Sequence, residues 1–306
     1  MGFYGKDGRF VSVEEDVWLS RINKEIKGVG AGLLLFLGAF ALLFWNEGRT
    51  VKTAQALTEG KGAVVSVSPA PVDAANEGKL VHLSGKTTTK DSLSDEKFGI
   101  NIEGIKLRRT VEMYQWKEKK DTKTEKQSGG KTQTVTTYSY EKDWSENLID
   151  SREFKDPKAP YNPESMPIKS EIFLAKDVKV GDFNLDTALV DELDSWENLP
   201  TPTVSPSVLS KMLDQPITIS ENGFYVGTNA QVPTVGDLRI RFQQIQNAEI
   251  SVVAAQAQGM LAPFQGSSGI PIALVESGAK NADAMFAQAQ AGNVTVAWML
   301  RLAGLI

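Results

Sequence analysis

Cysteine is absent from this chain of 306 residues, and histidine occurs once. The first absence excludes disulfides, thiolate metal sites and cysteine nucleophiles. It leaves the compartment open, because a domain this large can do without disulfides in an oxidising space. The single histidine, His82, sits in a strand-like stretch, where such a residue is ordinarily structural. No HExxH, GxSxG, P-loop or GxGxxG fingerprint occurs. An excess of basic charge is lacking too: 38 acidic against 33 basic residues give a net charge of -5 and a pI near 5.2. A nucleic-acid binder presents a basic surface, and this composition does not. The chemistry-bearing groups that remain are sparse. Asp191-Glu192-Leu193-Asp194, read as helical, fans its carboxylates around different faces. Gly266-Ser267-Ser268-Gly269 would expose a serine, but no lysine stands at a spacing that makes a catalytic pair. The sequence therefore assigns no catalytic residue, no cofactor and no metal.

What the chain does have is one long apolar run. Gly28 to Trp45 is 18 residues without a charge, roughly 27 Å of helix against a hydrocarbon layer of about 30 Å. A buried core helix and a cleaved signal peptide are the rival readings. Phe44-Trp45-Asn46-Glu47 makes a poor cleavage site, and Trp45 stands where an aromatic belt belongs. The expectation is a transmembrane helix over 28–45. Lys6, Arg9, Arg21, Lys24 and Lys27 precede it and Arg49 and Lys52 follow, so the amino terminus is expected in the cytoplasm. A cytoplasmic amphipathic helix is expected within 1–27, capped at Ser12 with Glu15 reaching back. Its face of Val17, Trp18, Ile22 and Ile26 suits either an anionic membrane surface or neighbouring protein. Gly28 and Gly32, four residues apart, are candidate helix-packing positions. Trp45, Asn46, Glu47 and Arg49 are candidate membrane-interface residues. The helix is expected to continue to Leu57, with Gly60 as its cap and with Val51, Ala54, Ala56 and Leu57 buried in a domain.

Residues 46–290 read as a mostly antiparallel β domain with a few helices, extracytoplasmic by the charge argument. Strands are expected near 62–67 and 79–85, and two long ones at 105–116 and 132–144 flank a lysine-rich tip. Tyr114 and Trp116 face Tyr138, Tyr140 and Trp144 there as cross-strand pairs. The tip carries six lysines against three acids between 117 and 131, which fits a solvated turn that discourages edge pairing. A helix from Asn184 would align Leu185, Leu189, Leu193 and Trp196. Strands follow over 216–227, 236–246, 248–256 and 269–275, then a helix over 281–291. Residues 291–306 read as the start of a second transmembrane helix, with Trp298 and Arg301 at the interface. The fold class is thus a membrane-anchored α+β protein.

"LLFWNEGRTVKTAQAL", "YSYEKDWSENLIDSREF", "NPESMPIKSEIF", "VKVGDFNL", "GDLRIRF" and "WMLRLAG" occur in this order along the chain. They resemble the LUMA (transmembrane protein 43) family. The resemblance implies a multi-pass membrane protein with a large luminal or periplasmic domain between its first two spans. It also implies further spans after Trp298, so that the chain is truncated at the second one. Nothing in the residues marks a eukaryotic origin, and a bacterial-type homologue in an inner membrane is the expectation; a eukaryotic member would sit in the ER or inner nuclear membrane. The family's link to lamins and emerin is not carried over. The function expected is a scaffold that binds the lipid bilayer, other membrane proteins and copies of itself, and no nucleic acid. A membrane-tethered hydrolase without histidine or cysteine chemistry, or a subunit of a transport or maintenance assembly, are the alternatives.

Overall fold

The computed structural model describes residues 2–15, 18–126, 132–200, 209–210, 213–220 and 223–305. The side chains of 15–31, 125–126, 132 and 305 lie outside that description. The chain divides into two compact units.

Unit 1 comprises Met1–Leu33, Arg108–Glu171 and Leu199–Phe242. Its sheet runs, edge to edge, through Gly2–Tyr4, Phe10–Glu15, Thr132–Ser145, Lys106–Lys126, Leu238–Ile245, Gly223–Val226 and Ile217–Ser220. Along Lys106–Lys126 the period of two is plain: Arg109, Val111, Met113 and Gln115 are buried and the residues between them are not. Arg109 tolerates this because its Nε donates to the Lys169 carbonyl (3.1 Å) and its guanidinium to Glu171 (2.6 Å). The long hairpin forms as expected, and Tyr114 stacks on Trp144 with ring centres 5.1 Å apart. The other aromatics find different partners: Lys142 lies over Trp116, Tyr138 meets Lys120 and Phe10, and Tyr140 meets Phe154. The first strand also runs further than expected, to Lys126, while the second starts at Thr132 as expected. Cross-strand ion pairs such as Lys119–Glu141 (2.6 Å) line this extension. Ser128 and the glycines of the expected turn lie outside the described residues.

The amino terminus departs from expectation. Gly2–Tyr4 and Phe10–Glu15 are strands, not the start of a helix, and Phe10–Glu15 pairs with Thr132–Ser145 over six positions. Ser12 faces Thr136 in that ladder and caps nothing. The alternation Phe10-Val11-Ser12-Val13 satisfies a strand as readily as Ser-x-x-Glu satisfies a cap, and the waiting edge of the hairpin decides between them. The pairing also puts residues 10–15 beside the hairpin that was expected across a bilayer from them.

Unit 2 comprises Leu34–Leu107, Ile172–Asn198 and Gln243–Ile306. Five strands close on themselves: Leu80–Thr89, Val178–Val180, Phe183–Leu185, Met260–Ala262 and Glu249–Ala257, which pairs back to Leu80–Thr89. Register puts Val81, Leu83, Val252, Ala254, Leu261 and Phe183 on the inner face, all essentially inaccessible to solvent. Leu80 and Val253 alternate to the outer face and join the packing of the helices.

The helices that matter to this unit, among the described residues, are α1 (Trp18–Ala63), α2 (Thr187–Asp191) and α3 (Ala282–Leu305). At 46 residues α1 is roughly 69 Å long; it passes Trp45 without a break and also passes Gly60, which caps nothing. The expected helix from Asn184 shrinks to α2, because Phe183–Leu185 is drawn into the barrel and Asp186, not Asn184, caps it by accepting from the Ala188 amide (2.9 Å). At its other end the buried Lys106 ammonium donates to the Asp191 and Leu193 carbonyls, both at 2.9 Å. The last helix, expected over 281–291, continues without interruption to Leu305. Among the described residues no helix is long and apolar enough to cross a membrane; residues 28–31 of the apolar run fall outside those whose side chains are described.

Candidate functional site

Within unit 2, the second half of α1 lies antiparallel to α3, and the contacts keep one register throughout. A Cβ placed on Gly304 would meet Leu43 at 3.0 Å. Asn46 Nδ2 donates to the Ala297 carbonyl (3.0 Å), and Asn293 Nδ2 donates to the Thr50 carbonyl (3.0 Å). Further along, Ala56, Leu57, Met285 and Phe286 are buried together, and Lys61 pairs with Asp283 (3.0 Å). One helical turn down one helix matches one turn up the other.

The two asparagines form a reciprocal pair. Each is buried, and each reaches a main-chain carbonyl of the opposite helix next to the other asparagine's turn. Thr50 Oγ1 bonds the Asn46 carbonyl (2.7 Å), so this carbonyl gains a second partner. A buried amide nitrogen costs stability unless it finds an acceptor, and only one register gives both asparagines one; such groups fix alignment more than they add strength. The small-residue contacts that allow the close approach are Gly60 and Gly304. A Cβ on Gly60 would sit 2.5 Å from Ile272 and 3.1 Å from both Leu80 and Phe286. Gly32, by contrast, has nothing within 4 Å of a built Cβ, and Gly28 lies outside the residues whose side chains are described. Glycine packing thus occurs at both ends of the described helix pair, at Gly60 in the domain and at Gly304 beside Leu43, and not at Gly32.

Of the residues expected at an interface, Trp45 and Trp298 are both exposed and flank the Asn46–Ala297 rung, so they stand at one height. Arg301 does not merely reach for solvent. Its guanidinium bonds both Glu47 oxygens (3.0 and 2.8 Å) and lies over the Trp298 ring at 5.0 Å. Below that level the surface is apolar: Leu34, Leu35, Phe36, Leu37, Phe40 and Phe44 on α1, and Met299 and Leu302 on α3, are each more than half exposed. The inward face of α1 beyond the tryptophan is shifted from expectation. Val51 and Ala54 are exposed, and Ala56, Leu57 and Gly60 are buried. Arg49 lies beside the pair with its Nε and Nη2 buried and unpartnered.

Around this pair the remaining reactive groups serve as ties. His82 meets the Ser66 hydroxyl through Nδ1 (3.2 Å) and the Lys280 carbonyl through Nε2 (2.8 Å). Ser267 donates its hydroxyl (2.6 Å) and its amide (3.2 Å) to the Glu59 carboxylate of α1. These two bonds, the hydroxyl's first, hold the Glu59 pKa below its ordinary value. The clip is therefore present above the ordinary carboxylate range and is lost as pH falls through the lowered pKa. The Ser267 amide resonance should titrate with a midpoint below that of an ordinary glutamate. A midpoint at the ordinary value would show that the loop is not held this way.

A family model described as Transmembrane protein 43 matches residues 113–306. Transmembrane protein 43 of Homo sapiens is 35% identical over 300 residues, which is 94% of this chain and 73% of the relative. That of Mus musculus is 34% identical over the same span, and the Transmembrane protein 43 homolog of Drosophila melanogaster is 30% identical over 278 residues, 89% of this chain and 72% of that protein. No solved structure matches. With a match that covers both units and a family model that takes in the buried asparagine of α3, the chain belongs to the Transmembrane protein 43 family.

Proposed function

We propose that the chain is a non-catalytic, membrane-anchored structural protein, whose β domain organises other membrane proteins or copies of itself beside the bilayer. The observation that carries the reading is the uncovered apolar band on α1 and α3, bounded at one height by Trp45 and Trp298 and by the Glu47–Arg301 pair. Water disfavours so much contiguous apolar surface, and tryptophan with a bracing ion pair is what a headgroup layer favours. The family's name supports the membrane, and the use of His82 and Ser267 as structural ties supports a scaffold. In this reading α1 crosses the bilayer and the more basic flank, with Lys6 and Arg9, stays in the cytoplasm. A bilayer across α1 would part Phe10–Glu15 from Thr132–Ser145, so the two arrangements exclude each other.

Thiol labelling in sealed native membranes decides between them, and the chain's lack of cysteine makes it clean. A thiol introduced at Ser128 should react with an impermeant reagent from the extracytoplasmic side, while one at Lys6 should react only after permeabilisation. Equal labelling of both from one side would show that α1 does not cross, and the anchor reading would fail.

A further inference from the structure

The guanidinium of Arg49 is the least explained charge in unit 2. Its Nε and Nη2 are buried and have no hydrogen-bond partner, and Asn293 Oδ1, close to the same place in the helix pair, is buried and unpartnered as well. All three atoms belong to residues that line one cavity of about 260 Å³. Apart from the Thr53 hydroxyl its other walls are apolar, including Leu57, Ile270, Ile272, Leu274 and Val296, and no acidic residue lines it. Glu47, two residues back and on another face of α1, is committed to Arg301. Arg49 is half-buried, but two buried guanidinium nitrogens without an acceptor are unfavourable, and neither bonds the one neutral hydroxyl in the wall, that of Thr53.

We infer that this cavity holds the headgroup of an acidic phospholipid bearing a hydroxyl, of the phosphatidylglycerol type. Nε and Nη2 of an arginine point in parallel and match two oxygens of one phosphate. Asn293 Oδ1 needs a donor, which a headgroup hydroxyl supplies and a bare phosphodiester does not. The volume lies just under the roughly 300 Å³ at which pockets for whole small molecules begin, so it takes a headgroup and leaves the acyl chains outside. Their route is on the surface: Val296 lines the cavity and is itself exposed, and Met299 follows one turn along α3 toward the apolar band. The site deepens the anchor reading and rests on it, because the chains need a bilayer into which to run.

The test uses the full chain, purified in mild detergent and mixed with vesicles. Wild type and Arg49→Met are compared for flotation with phosphatidylcholine vesicles, and for phosphatidylglycerol retained on the protein by native mass spectrometry. Both proteins should float, and the variant should retain phosphatidylglycerol roughly tenfold less well, the loss expected for a charge-assisted fork. Phosphatidylglycerol should raise the melting temperature of wild type but not of Arg49→Met, whose lipid-free melting temperature should be no lower than that of wild type. Arg49→Lys, which keeps the charge without the fork, should fall between the two. Floating proteins with equal phosphatidylglycerol retention would overturn the site and leave the anchor intact. Displacement of the lipid by an equal concentration of inorganic phosphate would overturn it too, by showing an anion site indifferent to lipid. A chain that floats with neither phosphatidylcholine nor phosphatidylglycerol vesicles would overturn the anchor reading and this inference together.

Discussion

Phe286→Ala should lower the stability of unit 2 by about 3–5 kcal/mol, the usual cost of emptying a fully packed phenylalanine site. Phe286 is completely buried, in one cluster with Ala56 and Leu57 of α1, Leu80 and Val253 of the barrel, and Ile272. None of these neighbours can close the gap alone, because Leu80 and Val253 are pinned by strand pairing and Ala56 and Leu57 by helix register. In a domain of this size, the loss corresponds to a fall of roughly 6–20 °C in melting temperature, taking 2–4 °C for each kcal/mol. Phe286→Met, which keeps most of the volume, should cost under about 1.5 kcal/mol. Thermal unfolding in detergent, followed by circular dichroism, measures both. A Phe286→Ala protein that melts within a degree or two of wild type would mean that α3 does not pack against the barrel.

Inserting Gly-Gly after Gly48 should separate the two halves of the helix pair. Two added residues turn everything on one side of the insertion by about 200° relative to the other. Asn46 would then face away from Ala297 while Thr50 kept its bond from Asn293. The two glycines cost about 1 kcal/mol each in helix propensity, and the stranded buried amide costs about 1–3 more. Cross-linking reads the outcome position by position. Cysteines at Leu43 and Gly304 should join in the native sequence and fail to join after the insertion, whereas a pair at Lys61 and Asp283 should join in both. If the first pair still joins, α1 is hinged at this point and the continuous helix has no mechanical role.

The barrel strands were legible because alternation and burial agree. Leu80-Val81-His82-Leu83 and Ile250 to Ala254 are β-branched or apolar except for His82 and Ser251, and both their faces are covered. The continuity of α1 past Trp45 was legible for a similar reason, since no proline or cap interrupts it. Gly60 was misread because glycine usually ends a helix. Here it is the one residue small enough for Ile272, Leu80 and Phe286 to close around, and tertiary packing overrides propensity. Asn46 was singled out as an interface residue, but its partner lies 251 positions away, and no local pattern announces a bond to Ala297. Arg301 was seen as a residue that reaches for the interface; that it finds Glu47 follows only from the register of the two helices. Residues 2–15 carried a pattern valid for helix and strand alike, and a hairpin more than a hundred residues later chose the strand.

The long sequence gap between α1 and α3 has a consequence during synthesis. The face of α1 at Ala56, Leu57 and Gly60 is complete once Ala63 has been made, but the part of its cover that Met285 and Phe286 supply comes only with α3, from Ala282. At roughly 5–20 residues per second, the ribosome takes about 10–45 s to supply it. For that interval the nascent chain carries an apolar stripe whose native cover, Leu80 first and Val253 and Ile272 later, is incomplete. A holding factor that masks the stripe, or a neighbouring nascent chain that lends its own α3, would be needed to carry it through. Whichever does so has its window set by the order of translation, before the fold exists to exclude it.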